Sequence, residues 1–242
     1  MKFALYDFLG RAKAHFLVTS ETHHASPANQ INQIGHILMV LDCSGSMWGD
    51  MAALKATVEK VLTLQEYADA DVYASVLSFA SSGDLVTHFD HVKVSEIMKP
   101  GSRYVEDIRK LNTRGCTCIS QGLAGAKKLV RANELTAVVL LSDGYANDRS
   151  PGAEKREIDV LVEDFRTMPG VFVNTIALRE WADYKFLSYI ANAASGTCFA
   201  VPSAKEVFDV LHNTTTLLAG ATAPAAVYPL PAGGSYQVFA SA

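Results

Sequence analysis

Two short stretches constrain this chain more than anything else in it. Residues 37–41 (ILMVL) and 136–141 (TAVVLL) are apolar at nearly every position, and each runs straight into an acidic loop, at Asp42 and at Ser142-Asp143. A strand with one wetted face alternates apolar and polar side chains, because successive side chains point to opposite faces. A run that is apolar on both parities needs cover on both faces, which is the condition of an interior strand in a parallel sheet. The two runs are therefore expected to be neighbours inside one sheet.

The rest of the chain supplies the cover. Residues 51–66 form an amphipathic helix with Leu54, Val58, Val61 and Leu62 on one stripe and Asp50 placed to cap it. Further helices are expected over 103–111, 119–132, 153–168, 184–194 and 205–212, and further strands over 72–79, 85–92, 171–177 and 198–201. In 153–168, Ile158, Leu161, Val162 and Phe165 face inward, and Pro169-Gly170 stops the helix. Strands alternating with helices at this spacing imply parallel βαβ units. The fold class is α/β, a doubly wound, mostly parallel sheet with helices on both faces. A length of 242 residues with 49% hydrophobic content suits one sizeable domain and an appendage.

The flanks read differently. Residues 20–32 (SETHHASPANQIN) are polar and aperiodic, a linker, with a short strand over 14–19 before it. From residue 219 the composition turns to Ala, Pro and Gly, then ends in a strand-like stretch at 236–240 (YQVFA). The division is thus 1–34, 35–218 and 219–242. An isolated strand cannot satisfy its backbone amides, so the two ends are expected to pair with each other beside the main domain.

Charge excludes some partners. Twenty-five acidic and 21 basic residues are spread without blocks, which gives no footprint for nucleic acid or anionic lipid. No segment approaches the roughly 20 apolar residues of a membrane span. The first residues are broken by Asp7, Arg11 and Lys13, unlike a signal peptide. Four cysteines in this length are not a disulfide framework, so a reducing compartment, the cytoplasm, is expected.

The chemistry gathers where the apolar strands end. In an open parallel sheet, ligands bind at the carboxyl ends of strands. Asp42-Cys43-Ser44-Gly45-Ser46 puts a carboxylate and two hydroxyls on one tight loop, with Gly45 allowing the turn. Thr117, just before the 119–132 helix, and Asp143, ending the second apolar strand, reach the same edge. These are hard oxygen donors of the kind Mg²⁺ accepts alongside retained waters.

The Asp-x-Ser-x-Ser loop, the threonine before a helix and the strand-end Ser-Asp-Gly resemble the metal-ion-dependent adhesion site of von Willebrand factor A domains. The resemblance covers roughly residues 35–218, and Asp42, Ser44, Ser46, Thr117 and Asp143 fill the expected positions. It implies Mg²⁺ or Mn²⁺ touched by Ser44, Ser46 and sometimes Thr117, with Asp42 and Asp143 acting mostly through water. It also implies a protein partner that presents an Asp or Glu carboxylate to the metal. Intracellular bacterial members work beside ATP-driven chaperone-like machines or in stress systems, so a partner of that sort is expected. The chain departs from the family at Cys116, where a second glycine is usual, and Cys43 and Cys118 make the rim rich in thiols.

Plainer readings compete. Asp42, Ser44 and Ser46 also fit a capped turn, and Thr117 fits a helix cap. A zinc site built from the cysteines with His23 and His24 lacks the usual paired spacing, and Cys43, Cys116, Cys118 and Cys198 read as small packing residues. Lys127-Lys128 and residues 154–157 read as solvated helix faces, and 145–149 as a surface loop. Met47 and Trp48 fit an exposed rim and a buried helix start equally. The leading function is a non-catalytic, metal-dependent binding module, since no phosphate loop, nucleophile elbow or base is present in these loops. The rivals are a metal-dependent hydrolase using Asp42 or Ser44, and a structural domain of a larger assembly in which metal only stabilises loops.

Overall fold

The computed structural model describes residues 2–6, 12–17, 35–216 apart from 69, 133, 204 and 205, and then 227–229 and 235–237. In chain order the strands are β1 (Lys2–Tyr6), β2 (Ala12–Leu17), β3 (Gly35–Asp42), β4 (Val72–Phe79), β5 (Leu85–Lys93), β6 (Leu135–Ser142), β7 (Val171–Leu178), β8 (Cys198–Val201), β9 (Val227–Pro229) and β10 (Ser235–Gln237). The helices are α1 (Met51–Leu62), α2 (Val94–Ile97), α3 (Arg103–Arg109), α4 (Ile119–Leu129), α5 (Pro151–Thr167), α6 (Tyr184–Ala193) and α7 (Val207–Thr216).

The chain divides into two compact units, Ile31–Ala219 and a second made of Met1–Gln30 with Gly220–Ala242. In the second unit each ladder is local. β1 pairs antiparallel with β2, and β9 with β10; among the described residues these hairpins stand where a ladder between the two ends was expected, although both ends do fall in one unit. Closing a short loop costs less chain entropy than joining segments from opposite ends. Residues 18–34, with His23 and His24, lie outside the described residues.

The main unit holds a six-stranded sheet in the order β5-β4-β3-β6-β7-β8. All its pairs are parallel except the antiparallel edge pair β4 with β5. β3 and β6 lie side by side in the middle, with Leu41 opposite Leu141. Burial explains why their sequences lack alternation. Ile37, Met39 and Leu41 pack with Val139 and Leu141 against α1, α3 and α7, through Leu54, Val58, Ile108 and Leu211. Leu38 and Val40 pack on the opposite face with Val138 and Leu140 against α4, α5 and α6, through Leu123, Ile158, Phe165 and Ile190.

Gly122 lets α4 sit close to the sheet, since a side chain there would start 2.6 Å from the buried Phe79 ring. The first long helix stops at Leu62, short of the expected 66, and Gln65–Tyr67 forms a 3-10 turn. Among the described residues no helix is long and apolar enough to cross a membrane.

One buried polar group at the start of β3 makes stability depend on pH. The Ser75 hydroxyl donates its one proton to Asp90 Oδ1 at 2.8 Å and accepts from the His91 amide at 2.8 Å. His36 Nε2, also 2.8 Å away, must therefore be the donor, which leaves Nδ1 as a bare acceptor. It faces Glu134 Oε2 at 3.9 Å, and neither atom has a hydrogen-bond partner. Burial pushes the His36 pKa down to about 4, helped by His91 and Arg131 and opposed by Asp90. Between the ordinary histidine range and pH 4 the unfolded chain binds the extra proton and the folded chain refuses it. This group's share of stability is thus complete near pH 6.5 and is lost as pH falls through that window, about 3 kcal/mol in all. Denaturant melts at pH 7 and pH 4 should show a larger acid loss for wild type than for His36→Gln. Equal losses would remove His36 as the cause.

Candidate metal centre

The centre starts from the ends of the two interior strands. Asp42 closes β3 and Ser142 closes β6, and both are fully buried. The Ser142 hydroxyl donates to Asp42 Oδ2 at 2.5 Å and accepts from the Gly144 amide at 2.8 Å. Asp42 Oδ1 accepts from the Ser44 amide at 2.8 Å, the self-closing turn that a strand-end aspartate favours. That turn brings the Ser44 and Ser46 hydroxyls within 3.1 Å of each other, Ser44 buried and Ser46 exposed.

Backbone bonds fix the neighbouring loops to this one. The Gly45 amide donates to Gly115 O at 3.1 Å, and the Arg114 amide to Cys43 O at 2.7 Å. Gly115 has φ +57, and a side chain there would start 2.5 Å from Ser81 Oγ, so only glycine fits this crossing. Thr117 is buried and held from both sides: its amide donates to Asn147 Oδ1 at 2.9 Å, and its carbonyl accepts from the amides of Asn147 and Asp148. Asp143, also buried, accepts on its carbonyl from the Asp183 amide at 2.9 Å. The structure thus brings Asp42, Ser44, Ser46, Thr117 and Asp143 to three hydrogen-bonded loops at the carboxyl edge of the sheet.

Three sequence readings need correction. Residues 154–157 are not a solvated face throughout, because Glu154 is buried. Its carboxylate accepts from the Ser120 amide at 2.7 Å and the Ser120 hydroxyl at 2.9 Å, capping α4 from another helix. A carboxylate there also meets the positive end of the helix dipole. Cys118, not Thr117, occupies the cap position of α4. The 145–149 stretch is the surface loop expected, with Tyr145 and Asn147 exposed, and Asn147 also ties it to Thr117. Cys116 is exposed rather than packed, whereas Cys43 and Cys118 are buried.

Asp50 also departs from expectation. It stands before α1 but makes no capping bond, and pairs instead with Arg179 across the edge of the sheet. Neither Glu154, Asn147 nor Arg179 carries a local sequence signal for these roles. Met47 is buried and Trp48 exposed.

The donor chemistry fits a hard divalent cation. Burial raises the Asp42 carboxyl to about 6, and Asp143 pushes the same way, against the hydrogen bonds from Ser142 and Ser44 that pull it down. Such a carboxylate lacks enough positive charge around it, which a cation beside it would supply. Burial also lifts the Cys43 thiol to about 11 and the Cys118 thiol above its ordinary value, so neither is a ready thiolate ligand. Among the described residues no group of three or more His, Cys, Asp or Glu side chains is placed to hold a metal. Hydroxyls and two carboxylates are the oxygen donors offered here.

Residues 37–146 match the family model of the von Willebrand factor type A domain. The fold is that of the A-type domain. The chain is 27% identical over 210 residues to human inter-alpha-trypsin inhibitor heavy chain H2, covering 79% of this chain and 21% of that protein. It therefore spans about a fifth of that relative. An A-type structure from Catenulispora acidiphila matches with a TM-score of 0.61 at 18% identity, over 77% of this chain and 42% of that one. A pilus adhesin from Lactobacillus rhamnosus GG matches with 0.61 at 16% identity, over 78% and 30%. Proximal thread matrix protein 1 from the mussel byssus, with a zinc-occupied metal-ion-dependent adhesion motif, matches with 0.56 at 21% identity, over 76% and 45%. At these identities the structures establish the A-type fold alone.

Because Glu154 caps α4 from a distance, removing it leaves the buried Ser120 amide unpaired. Glu154→Ala should cost the domain about 2 kcal/mol in denaturant unfolding. Glu163→Ala, which removes an exposed ion pair with Arg166, should change stability by less than about 0.5 kcal/mol. Equal effects of the two would count against the cap.

Proposed function

We propose that this A-type domain is a metal-dependent protein-binding module. In this reading Mg²⁺ or Mn²⁺ is held by the hydroxyls of Ser44, Ser46 and Thr117, with Asp42 and Asp143 acting through water. The ion supplies a directed attraction for an Asp or Glu carboxylate of the partner. The observation that carries the reading is the convergence of buried Asp42, Ser44, Thr117 and Asp143 with exposed Ser46 on hydrogen-bonded loops at one sheet edge. Such a cluster is costly to bury unless something compensates its charge.

The chain's own residues divide the work. Ser142 and the Ser44 amide orient Asp42, Gly115 and Gly45 let the loops cross, and Asn147 holds the Thr117 backbone. Ser46, the exposed donor, is the side from which a partner reaches the ion. The module has no catalytic role in this reading. His36, His88 and His91 are engaged with Ser75, Ser78 and Glu134, and none of these contacts supplies a base to Asp42 or Ser44. The zinc-occupied motif of the mussel relative supports metal binding here, and the hard donors favour Mg²⁺ or Mn²⁺ over zinc. Free cysteines suit a reducing compartment such as the cytoplasm, where an ATPase or stress-system protein is a partner of the expected kind.

Ser44→Ala and Asp143→Ala should each weaken Mg²⁺ binding at least about tenfold by calorimetry while the circular dichroism spectrum is unchanged. A partner captured by the wild type should be released by EDTA and missed by both variants. Binding that survives chelation and both substitutions would put the interaction on another face.

A further inference from the structure

The chain has two tryptophans, and both are exposed, Trp48 at 80% and Trp181 at 61%. A tryptophan open to water gives the core nothing, and clustered exposed aromatics mark interaction surfaces. Trp48 lies in the 3-10 turn Gly45–Gly49, which also carries Ser46. Trp181 lies in the loop after β7, and Arg179 links that loop to the Ser46 turn. Its guanidinium carbon lies 5.3 Å from the Trp181 ring centroid, its Nη1 donates to Ser46 O at 3.3 Å, and it pairs with Asp50. A third ring, Tyr145, is 55% exposed and follows Asp143-Gly144 directly. The bond from the Asp183 amide to Asp143 O ties the Tyr145 loop to the Trp181 loop.

Three aromatic side chains therefore rise from the loops that carry Ser46 and Asp143 and from the loop joined to both. Arg179 itself has φ +75, a left-handed backbone that a non-glycine residue adopts only when its surroundings hold it. Its amide donates to Val201 O at 2.8 Å, which anchors the strained residue to β8.

The charges around the rim decide what kind of segment it fits. The guanidinium groups of these loops are already paired, Arg179 with Asp50, Arg114 with Asp84 at 2.7 Å and Arg149 with Glu157 at 2.5 Å. Additional acidic side chains on a partner would compete with existing ion pairs, whereas apolar ones meet ring surface. We propose that Trp48, Trp181 and Tyr145 form a docking rim for a linear acidic–apolar protein segment. Its carboxylate reaches the metal, and large apolar or aromatic side chains one or two positions away lie on the rings. This rests on the metal-bridge reading for the carboxylate and adds the requirement on its neighbours. An extended segment advances about 3.3 Å per residue, so flanking side chains fall about 3–7 Å from the carboxylate, the scale of one indole ring.

The tryptophans make the test direct, because all indole emission comes from the rim. The probes are end-blocked seven-residue peptides with a central Glu flanked by Leu and Phe, the same with Ser flanks, and a Leu/Phe-flanked peptide with central Gln. In excess Mg²⁺ the Leu/Phe-flanked Glu peptide should bind about tenfold tighter than the Ser-flanked one, a difference of about 1.4 kcal/mol. It should also shift emission to the blue and protect it from acrylamide. Trp181→Ala and Trp48→Ala should erase the preference and leave both Glu peptides at the weaker affinity, and Trp48→Phe should restore most of it. Equal affinity of the two Glu peptides, with EDTA abolishing both, would overturn the rim and leave the metal bridge standing. A Leu/Phe preference that persists in EDTA and in Ser44→Ala would uphold the rim and sink the bridge. No change in emission with any peptide would overturn the rim.

Discussion

The hydrogen bond from Ser142 to Asp42 is the interaction on which the candidate site depends. It joins the last residues of the two central strands, which pack on both faces of the sheet, so both loops leave the sheet at the same level. A buried carboxylate is expensive, and its stabilisation here comes from donors supplied by strand-end geometry, the Ser142 hydroxyl and the Ser44 amide. Those donors do not fully offset burial, since the Asp42 pKa still stands well above the ordinary range. A cation placed beside Asp42 would offset that residual deficit of positive charge. Leu41 and Leu141, side by side one step below, make the position of Asp42 a consequence of core packing.

What the sequence disclosed and what it hid follow from the range of each interaction. The interior pairing of β3 with β6 was legible because burial on both faces writes itself into consecutive residues, as in ILMVL. The turn from Asp42 through Ser46 was legible for the same reason, its bonds spanning two residues. Glu154 was not, because its partner Ser120 lies 34 residues away and nothing beside Glu154 marks it as buried. Asn147 reaches Thr117 across 30 residues, and Arg179 reaches Asp50 across 129. The contrast between Met47 and Trp48 was equally closed to inspection, since a 3-10 turn sends adjacent side chains to opposite environments and only the tertiary fold says which is which. The terminal hairpins needed knowledge of which local partner each short strand would find.

The low identities of the structural matches have a simple account. An A-type sheet asks for apolar residues on both parities of its central strands and for small residues where helices press close, as at Gly122 against Phe79. Many sequences meet those demands, so the fold persists at 16–21% identity. The exposed residues of the loops at the carboxyl edge, such as Ser46 and Trp48, carry few packing demands of that kind. They are where related domains are free to differ in what they bind.

Arg179 shows how the two layers are joined. Asp50 stands where a helix-capping aspartate would, yet its carboxylate turns away from α1 and pairs with Arg179. A side-chain cap contributes about 1 kcal/mol to a helix, so α1 begins without a stabilisation that its sequence could provide. In exchange, the loop carrying Ser46 is fastened to the loop carrying Trp181, through the ion pair and through the bond to Ser46 O. The left-handed backbone of Arg179 adds a further local cost on the same residue. Two local sacrifices at one contact are hard to explain by stability of the domain alone. They make sense if the relative position of the hydroxyl loop and the aromatic loop is itself what the edge must preserve.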